Sequence, residues 1–343
     1  MANKRSNKPT IYEVARLAGV STGTVSNVLS GAVPVSEERR TRVLEAVAMV
    51  GFTPNVLAQW LPSKTTGLIG ICVPRARLAL FSDLTEQFGQ LARADHYETL
   101  QVLSPTSPEE ELQQIQSLMK YRLGGLVLLP SVRPEATLTF LKNSALPTVI
   151  IDRPVPDSFG FDQVSIDNVR VMTDLLERLY QYGHRRVLFM FRDRMNIVTQ
   201  QRLRGAKLAR ERFDGLVVDS VPSGDDAQEF QEAFVRAREA FKPTVVITTT
   251  SYMAEWAIRS FRVLGVRVPR DCSMVTLDEP AWADILEPPL SVLRTPIVEL
   301  ARQALTYLIA RMKGEMNPPK QTVLAAEMIM RESVRDLMRD EAS

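Results

Sequence analysis

Residues 10–31 read TIYEVARLAGVSTGTVSNVLSG, which is the pattern of two short helices joined by a tight turn. The first half repeats apolar residues at three- and four-residue spacing, as one helical face requires: Ile11, Val14, Ala15 and Ala18. Gly19 is suited to end that helix, and Ser21 can cap the next one by accepting from a backbone N–H. The second half repeats the apolar spacing at Val25, Val28 and Leu29. Two apolar stripes that face each other across a glycine turn predict a helix-turn-helix.

The polar face of the second helix carries small hydrogen-bonding residues that can enter a major groove and contact base edges: Thr22, Gly23, Thr24, Ser26 and Asn27. Taken alone, the pattern also fits any small helical hairpin, so the flanking sequence has to decide. A third helix is predicted to open at residues 35–38, and its inward face would hold Val43, Leu44, Ala46 and Val47.

Charge is distributed unevenly along the chain. Through Thr65 there are eight Lys and Arg residues and four Glu residues, a net charge of +4, whereas the remainder has 34 basic and 36 acidic residues, a net charge of −2. A small positive headpiece on a nearly neutral body favours a DNA-binding domain attached to a second domain.

Two stretches resemble the DNA-binding headpiece of LacI-type (LacI/GalR family) transcription regulators: residues 10–31, and residues 35–61 with the sequence VSEERRTRVLEAVAMVGFTPNVLAQWL. The match is nearly continuous over residues 10–61 and continues more loosely to about Val334. The resemblance implies a repressor that binds palindromic double-stranded operator DNA as a homodimer. It implies base contacts by Thr22, Gly23 and Asn27. It also implies phosphate contacts or helix positioning by four further residues: Thr10, Tyr12, Thr24 and Ser26.

Residues 55–61 form a helix-competent segment between Pro54 and Pro62, and a polar link follows. By composition alone, this stretch is equally well a plain inter-domain linker. In LacI-type regulators the corresponding segment is a hinge helix that orders on DNA and enters the minor groove. The resemblance implies DNA contacts by Asn55, Ala58 and Leu61, with Leu61 as the apolar wedge between base pairs.

From Leu68 to Leu277, apolar strand-like runs alternate with helical segments. Near-continuous Val, Ile and Leu strands are typical of parallel sheets that are covered on both faces. The strands are too many for one small sheet, so the pattern favours two α/β lobes. This agrees with the periplasmic-binding-protein-like effector domain that the resemblance implies. In that fold the chain crosses between the lobes three times, which here falls near residues 165–168, 294–296 and 325–328.

The expected organisation has four parts. Residues 1–54 form a small all-α headpiece, and residues 55–66 form a hinge helix and linker. Residues 67–335 form the two-lobed effector-binding and dimerisation domain, and residues 336–343 form a short charged tail. The C-terminal tail lacks the leucine heptads of a tetramerising coiled coil, so we expect a dimer.

Ligands of a two-lobed α/β fold bind in the cleft between the lobes, at the carboxyl ends of strands. The effector-binding positions that the resemblance implies are Leu78, Phe81, Asn168, Arg202, Thr250, Asp278 and Trp282. Arg202 matches an arginine that binds ligand oxygens through charge-assisted hydrogen bonds. The sequence departs from the family at Leu78, where sugar-binding relatives usually have asparagine, and at Asp226, where an aromatic residue often stacks on the ligand.

Each of these residues also has a structural explanation. Arg202 can cap a helix or pair with Glu211, Asp278 can cap the following helix, and Phe81 can belong to the core. Arg202 together with Asp278 favours a hydroxylated or carboxylated ligand, and four arginines near strand ends favour an anionic one: Arg75, Arg77, Arg192 and Arg194. The expected effector is a sugar, a sugar acid or a sugar phosphate. A cleft that no longer senses a small molecule stays as the alternative.

Composition argues against several other classes. His96 and His184 are the only histidines, so a zinc site or a His-based catalytic relay is poorly supplied, and no glycine-rich phosphate loop is present. We therefore expect no catalytic residues, no cofactor and no metal. No apolar run approaches the roughly 20 residues that span a bilayer, and an N-terminal signal-peptide core is missing, which favours the cytoplasm over a transport receptor. Cys72 and Cys272 are expected to be buried free thiols.

Overall fold

The computed structural model describes residues 9–30, 33–52, 67–74, 79–104, 107–192 and 194–340. The chain divides into two compact units, Met1–Thr66 and Gly67–Ser343.

Three helices form the first unit: α1 (Ile11–Ala18), α2 (Thr22–Ser30) and α3 (Glu37–Val50). At the start of α1, the Glu13 carboxylate accepts hydrogen bonds from the Thr10 N–H at 2.8 Å and from the Thr10 hydroxyl at 3.2 Å. The helix ends at Gly19, whose φ of 67° is left-handed. Ser21 Oγ then accepts from the Thr24 N–H at 3.1 Å at the start of α2. The predicted helix-turn-helix is confirmed together with its caps.

The headpiece core takes one fully buried valine from each helix: Val14, Val25 and Val43. We also expected Leu44 to face inward, and this was wrong, because Leu44 is 46% exposed. α3 directs Val43, Ala46 and Val47 toward the other helices, and Leu44 lies about 100° around the helix axis from Val43. The rotation of the helix between two consecutive residues therefore decides which of these adjacent apolar side chains is buried.

The second unit contains two six-stranded sheets. The N-terminal lobe is built on β1 (Leu68–Pro74), β2 (Glu98–Ser104), β3 (Gly125–Leu128), β4 (Thr148–Asp152), β5 (Asp162–Ile166) and β11 (Gln321–Leu324). The strand order is β11-β5-β4-β3-β1-β2, and every neighbouring pair is parallel. Strand β1 lies between β2 and β3, and its Ile71 pairs with Gln101 of β2 on one side and with Val127 of β3 on the other.

The C-terminal lobe is built on β6 (Arg186–Phe191), β7 (Val217–Pro222), β8 (Val245–Thr248), β9 (Ser273–Thr276), β10 (Ser291–Arg294) and β12 (Glu327–Ile329). The strand order is β12-β10-β9-β8-β6-β7. All neighbours are parallel except β12, which runs antiparallel to β10. Two largely parallel sheets confirm the two-lobed α/β fold that the sequence predicted.

Helices cover both sheets. The N-terminal lobe has α4 (Ala79–Ala94), α5 (Pro108–Met119), α6 (Glu135–Ser144) and α11 (Ile297–Met312). The C-terminal lobe has α7 (Asn168–Gln181), α8 (Ile197–Arg212), α9 (Ala227–Phe241) and α10 (Ser251–Val263). A 3-10 turn spans Asp157–Phe159, and a short helix, α12 (Leu337–Asp340), lies in the segment that we expected to be only a charged tail. No helix among the described residues is long and apolar enough to cross a membrane.

The chain passes between the two lobes three times. The first crossover is Asp167, between β5 and α7, the second is residues 295–296, between β10 and α11, and the third is residues 325–326, between β11 and β12. All three lie where the sequence predicted them. Because the lobes are interwoven in this way, each sheet is assembled from distant parts of the chain.

Both cysteines are buried and free, as expected. Burial raises the pKa of the Cys72 thiol and of the Cys272 thiol to about 12.

His184 joins the C-terminal segment to the second lobe. Its ring is fully buried, with Nδ1 2.9 Å from the Thr244 hydroxyl oxygen and Nε2 3.1 Å from the Arg335 carbonyl oxygen. Because a carbonyl oxygen only accepts, the neutral ring carries its proton on Nε2. Two residues after Arg335, the Leu337 N–H donates to the Tyr182 carbonyl at 2.8 Å. Burial lowers the pKa of His184 to about 4.

We expect the free energy of unfolding to fall as the pH drops from 6.5 to 4, with His184 contributing up to about 3 kcal/mol. In this window the unfolded imidazole is protonated and the buried one is not, so the unfolded state binds more protons and gains stability as the pH falls. Urea midpoints measured across the window check this. His184→Gln should remove the His184 part of the slope, whereas His96→Asn, at an exposed site, should keep it. A slope that both variants share would contradict the assignment.

Candidate nucleic-acid interface and interlobe cleft

The residues predicted to contact DNA lie around the first turns of α1 and α2. Tyr12 is 75% exposed, and Thr10 and Gly23 are exposed as well. The other four are half-buried at the rim of the headpiece core: Thr22, Thr24, Ser26 and Asn27. These seven residues are therefore available on one short stretch of the first unit, and their DNA contacts stay a prediction.

Gly23 is the residue whose small size the headpiece itself does not need. A Cβ added there would meet only the Ser21 hydroxyl oxygen, at 3.7 Å, which is an ordinary contact. Its backbone also requires no left-handed conformation. The packing of the headpiece therefore leaves room for a side chain at this position. The hinge residues Asn55, Ala58 and Leu61 lie outside the described residues.

A cleft of about 730 Å³ lies between the two lobes, at the carboxyl ends of both sheets. From the N-terminal lobe it is lined by residues at or just after strand ends: Pro74, Ser131 and Asp152. From the C-terminal lobe it is lined in the same way by Arg192, Thr250 and Asp278. This is the location that a switch in strand order predicts for a ligand site in an open α/β sheet.

Five of the seven predicted effector residues line this cleft: Phe81, Asn168, Arg202, Thr250 and Asp278. Leu78 lies outside the described residues. Trp282 is not among the lining residues, so the structure does not support its assignment. Its side chain is half-buried and packs against the core of the C-terminal lobe.

Arg202 lines the cleft from α8. Its Nε donates to the Asn168 Oδ1 at 3.0 Å, and Asn168 in turn donates to the Ile166 carbonyl at 3.1 Å, so the arginine is tied to the first crossover. Burial lowers the pKa of Arg202 to about 10, and the carboxylates of Asp152 and Asp278 oppose that shift, so the guanidinium stays charged at neutral pH.

The ion pair of Arg202 with Glu211 that was the structural alternative is not formed. The Glu211 carboxylate oxygen Oε1 lies 3.9 Å from Lys207 Nζ instead. Asp278 does have a structural contact, but with a different helix from the one expected. Its Oδ2 accepts from the Ser251 N–H at the start of α10, at 3.1 Å. Burial raises the pKa of Asp278, and the hydrogen bonds from Ser251 lower it.

Sequence reasoning missed Asp152, which ends β4 with a left-handed φ of 62° and lines the cleft from the N-terminal lobe. Burial raises the pKa of its carboxyl group, against the attraction of Arg153 and Arg202. A non-glycine residue held in this conformation is strained, and such strain clusters at functional sites. The signal in the sequence was its position directly after the apolar strand TVII, beside the basic Arg153.

A second missed part of the site is the loop after β3. Ser131 lines the cleft, and the fully buried Glu111 carboxylate accepts from its N–H at 2.6 Å and from its hydroxyl at 3.1 Å. Arg153 holds the preceding residue, since its Nη1 donates to the Pro130 carbonyl at 2.7 Å. Burial raises the pKa of Glu111, against the hydrogen bonds from Ser131. No local sequence signal links these residues.

The arginines that favoured an anionic ligand are partly compensated. Arg192 donates through Nε to the Asp225 carboxylate at 2.7 Å, and this bond raises the pKa of Arg192. The Arg194 guanidinium lies 5.4 Å from the centre of the Phe191 ring. Asp226 stands where the family resemblance indicates an aromatic residue that stacks on the ligand. Here it caps α9 by accepting from two backbone N–H groups at 2.9 Å. The residue that lines the cleft there is its neighbour, Asp225. Arg75 and Arg77 lie outside the described residues.

Four arginines and three aspartates line the cleft: Arg133, Arg153, Arg192 and Arg202, with Asp152, Asp225 and Asp278. Aromatic lining comes from Phe81 and Tyr252. Nearly balanced charge beside many hydroxyl and amide groups suits a polar, hydroxylated ligand better than a strongly charged one. Among the described residues, no group of three His, Cys, Asp or Glu side chains could hold a metal ion.

A helix-turn-helix unit joined to a two-lobed α/β unit with a polar interlobe cleft defines a DNA-binding protein with a second domain of the periplasmic-binding-protein type, and the comparisons with known proteins agree. The model for bacterial regulatory proteins of the lacI family matches residues 10–55, and the model for the periplasmic binding protein-like domain matches residues 176–334. The chain thus carries the lacI-family DNA-binding domain of a transcription regulator and a periplasmic binding protein-like domain, and the curated relatives that it matches are transcription regulators, not enzymes.

The relatives match over nearly their full length. The ribose operon repressor of Haemophilus influenzae is 26% identical over 338 residues, which cover 96% of this chain and 99% of the relative. The complex of the transcriptional regulator CelR with cellobiose is 25% identical, with a TM-score of 0.70 over 95% of this chain and 100% of that one. The Lac repressor dimer bound to operator and the anti-inducer ONPF has a TM-score of 0.81 over 96% of this chain and 100% of that one; at 23% identity this likeness shows the fold alone.

Proposed function

We propose that the protein is a repressor that binds a two-fold symmetric operator as a homodimer and responds to a small-molecule effector in the interlobe cleft. The observation that carries this proposal is the cleft itself, where Arg202 is attracted by a carboxylate from each lobe, Asp152 and Asp278, in a chain that also has an N-terminal helix-turn-helix. In this proposal residues 1–54 bind DNA, residues 55–66 form the hinge, and residues 67–335 bind effector and dimerise. Residues 336–343 are the C-terminal tail.

For the effector we propose a sugar, a sugar acid or a sugar phosphate. Its binding would either release the repressor from the genes for metabolism of that compound or recruit the repressor to them. A volume of about 730 Å³ is within the range of small-molecule sites. The hydroxyl and amide groups around Arg202 suit ligand hydroxyl groups, and Arg202 can bind a ligand oxygen by a charge-assisted hydrogen bond. The similar protein bound to cellobiose supports a carbohydrate.

The operator is tested by gel shift and footprinting on the DNA upstream of the protein's own gene, over a salt series. We expect a short, two-fold symmetric protected site that outcompetes random DNA. One headpiece makes too few contacts for specificity, and a dimer combines the contacts of two half-sites. Diffuse protection that disappears steeply with salt would contradict specific binding, since it is the behaviour of phosphate contacts alone.

Asn27→Ala is expected to relax the base preference at one position of each half-site, at a cost of about 1–3 kcal/mol for the preferred base. The reason is that the amide can make paired hydrogen bonds to a base edge, which alanine cannot. Operator selection from a randomised half-site measures this. Met49→Ala, at a 78% exposed site on α3, is the control and should keep the parent preference. An unaltered preference in Asn27→Ala would remove Asn27 from the set of base readers.

The effector is tested by a melting screen of the full chain with sugars, sugar acids and sugar phosphates. Once a compound is found that raises the melting temperature of the parent, its affinity for the Arg202→Gln variant should be about 10- to 100-fold lower. The reason is that a hydrogen bond from a charged group is worth about 1.5–3 kcal/mol. Arg210→Gln, at an exposed site on the same helix, should bind as the parent does. If no compound raises the melting temperature although the protein still protects its operator, the effector proposal is contradicted. The alternative, a regulator whose cleft binds no small molecule, would then describe the protein better.

A further inference from the structure

A group of four charged residues lies beside the cleft, and we call it the Glu279 cluster: Glu279, Arg294, Glu327 and Arg331. The Glu279 carboxylate accepts from two nitrogens of Arg294, from Nη2 at 3.0 Å and from Nε in a shorter contact. It also accepts from Arg331 Nη2 at 2.8 Å. Arg294 Nη1 reaches Glu327 at 3.3 Å. One carboxylate therefore holds two guanidinium groups.

The cluster lies at the C-terminal-lobe ends of two crossovers. Arg294 is the last residue of β10 and directly precedes the second crossover, and Glu327 is the first residue of β12 and directly follows the third. The two residues are partners in the antiparallel pairing of β10 with β12. A rotation of one lobe against the other has to be absorbed in the crossovers, as hinge motions are absorbed at the ends of elements. The cluster therefore fixes the direction in which two of the three chain segments leave the lobe.

The same cluster is continuous with the cleft. Glu279 directly follows Asp278, which lines the cleft, and one residue from each of the two crossovers lines it too, Thr295 and Ala326. A ligand in contact with Asp278 would act one peptide bond away from the carboxylate that holds Arg294 and Arg331.

The charges of the cluster are partly shielded from water. The side chain of Glu279 is 22% exposed and that of Arg331 is 16% exposed, whereas Glu327 is 64% exposed. The bonds from Arg294 hold the pKa of Glu279 below its usual range, so the carboxylate is ionised at neutral pH. Arg331 is anchored further, since its Nη1 donates to the Leu290 carbonyl at 2.7 Å. Arg294, which makes the two-nitrogen contact, is 49% exposed, so water screens its charge more than that of Arg331. A two-nitrogen contact is nonetheless more directional than a contact through one nitrogen.

We propose that Glu279 is a positioning residue that sets the relative orientation of the two lobes. It holds Arg294 where the second crossover leaves the C-terminal lobe, and Arg294 in turn binds Glu327 where the third crossover enters it. Glu279 also holds Arg331, just after β12. Its regulatory meaning rests on the proposed function, in which the orientation of the lobes decides between operator binding and release. The orientation itself is a property of the chain without ligand.

The test is a measurement of the distance between two spin labels, one on each lobe, in the full chain without ligand. The labels are attached at Ala94→Cys on α4 and Glu239→Cys on α9, both exposed sites. The native thiols of Cys72 and Cys272 are buried, so the label reacts with the introduced ones.

Glu279→Gln is expected to shift or widen the distribution of interlobe distances, because a neutral amide of the same size holds two guanidinium groups more weakly. Arg294→Gln should change it in the same direction, and it also keeps the test open if Glu279→Gln does not fold. The matched control is Glu255→Gln, which removes an exposed pair with Arg259 on the same lobe and should leave the distribution as it is. Parent-like distributions in both Glu279→Gln and Arg294→Gln would overturn the proposal, and so would an equal change in Glu255→Gln.

This measurement uses neither operator nor effector, so its failure is separate from a failure of the proposed function. With the footprinted DNA as the probe, Glu279→Gln should also change the operator affinity of the ligand-free protein, by about 2- to 30-fold as is typical of residues that couple two sites. A shifted interlobe distance with an unchanged operator affinity would overturn the regulatory part.

Discussion

Arg311→Ala is expected to lower the free energy of unfolding by about 3–5 kcal/mol, because it leaves a buried carboxylate without its counter-charge. Arg311, in the last turn of α11, binds both oxygens of Asp162, with Nε at 2.6 Å from one and Nη2 at 2.9 Å from the other. Asp162 is 2% exposed at its side chain, and its remaining donor is the Lys320 N–H at 2.7 Å. The same guanidinium donates to the Asn317 carbonyl at 2.6 Å, so the loop between α11 and β11 would lose its anchor as well.

Urea unfolding of the full chain, followed by circular dichroism, measures this loss. The matched control is Arg302→Ala on the same helix, which breaks an exposed pair with Glu299 and should cost less than about 1 kcal/mol. The double variant Asp162→Asn/Arg311→Met should recover part of the stability, because no unpaired charge is then buried. Equal, small losses in Arg311→Ala and Arg302→Ala would show that Asp162 is not a buried charge in the folded protein.

Gly205→Ala is expected to destabilise the protein by about 3 kcal/mol, since it forces apart two helices that touch at the backbone. A Cβ at Gly205 would lie 2.4 Å from the Val169 carbonyl oxygen and 2.9 Å from the Met172 Cβ. Carbonyl oxygen and Cβ atoms cannot move aside as the end of a flexible side chain can. The junction of α7 and α8 that would open also holds the 3.0 Å bond from Arg202 to Asn168, so effector binding should weaken together with stability.

Gly89→Ala is the control with the opposite expected sign. Gly89 also lies inside a helix, α4, but a Cβ there would lie 3.5 Å from the Thr99 hydroxyl oxygen, an ordinary contact. Alanine at this position should therefore stabilise the protein by about 0.5–1 kcal/mol through its better helix propensity. Thermal melting of the two variants checks the contrast. A Gly205→Ala variant that melts at or above the parent temperature would show that α7 and α8 separate at little cost.

The headpiece and the central strands were predictable because their signals are local. The Thr10–Glu13 cap, the Gly19 turn and the Ser21 cap all act within a few residues, so spacing in the sequence maps directly onto the helices. Strands such as β3 and β8 are fully buried apolar runs between helices and are recognised in the same way. The interlobe crossovers followed from the family resemblance and lie where it placed them.

Five strands were not predicted from the sequence, β5, β7, β10, β11 and β12, and four of these depend on contacts or an edge position that the local sequence does not reveal. β5 reads DQVSI and is nonetheless fully buried, because Arg311 neutralises Asp162 from 149 residues away and the Gln163 amide bonds to the Val155 N–H and carbonyl at 2.8 Å and 3.0 Å. β7, β11 and β12 are edge strands that are only partly buried, so they carry no continuous apolar run.

The same division holds for the cleft. The sequence by itself identified the class of fold, and through the family resemblance it also indicated several residues that line the cleft, Asn168, Arg202 and Asp278 among them. The tertiary structure alone decided that Asp152 faces Arg202 from the other lobe and that Trp282, only four residues after Asp278, packs half-buried against the core of the C-terminal lobe. A residue's place in a cleft between two interwoven sheets depends on which strand ends meet, and that is fixed by long-range packing and not by neighbours in the chain.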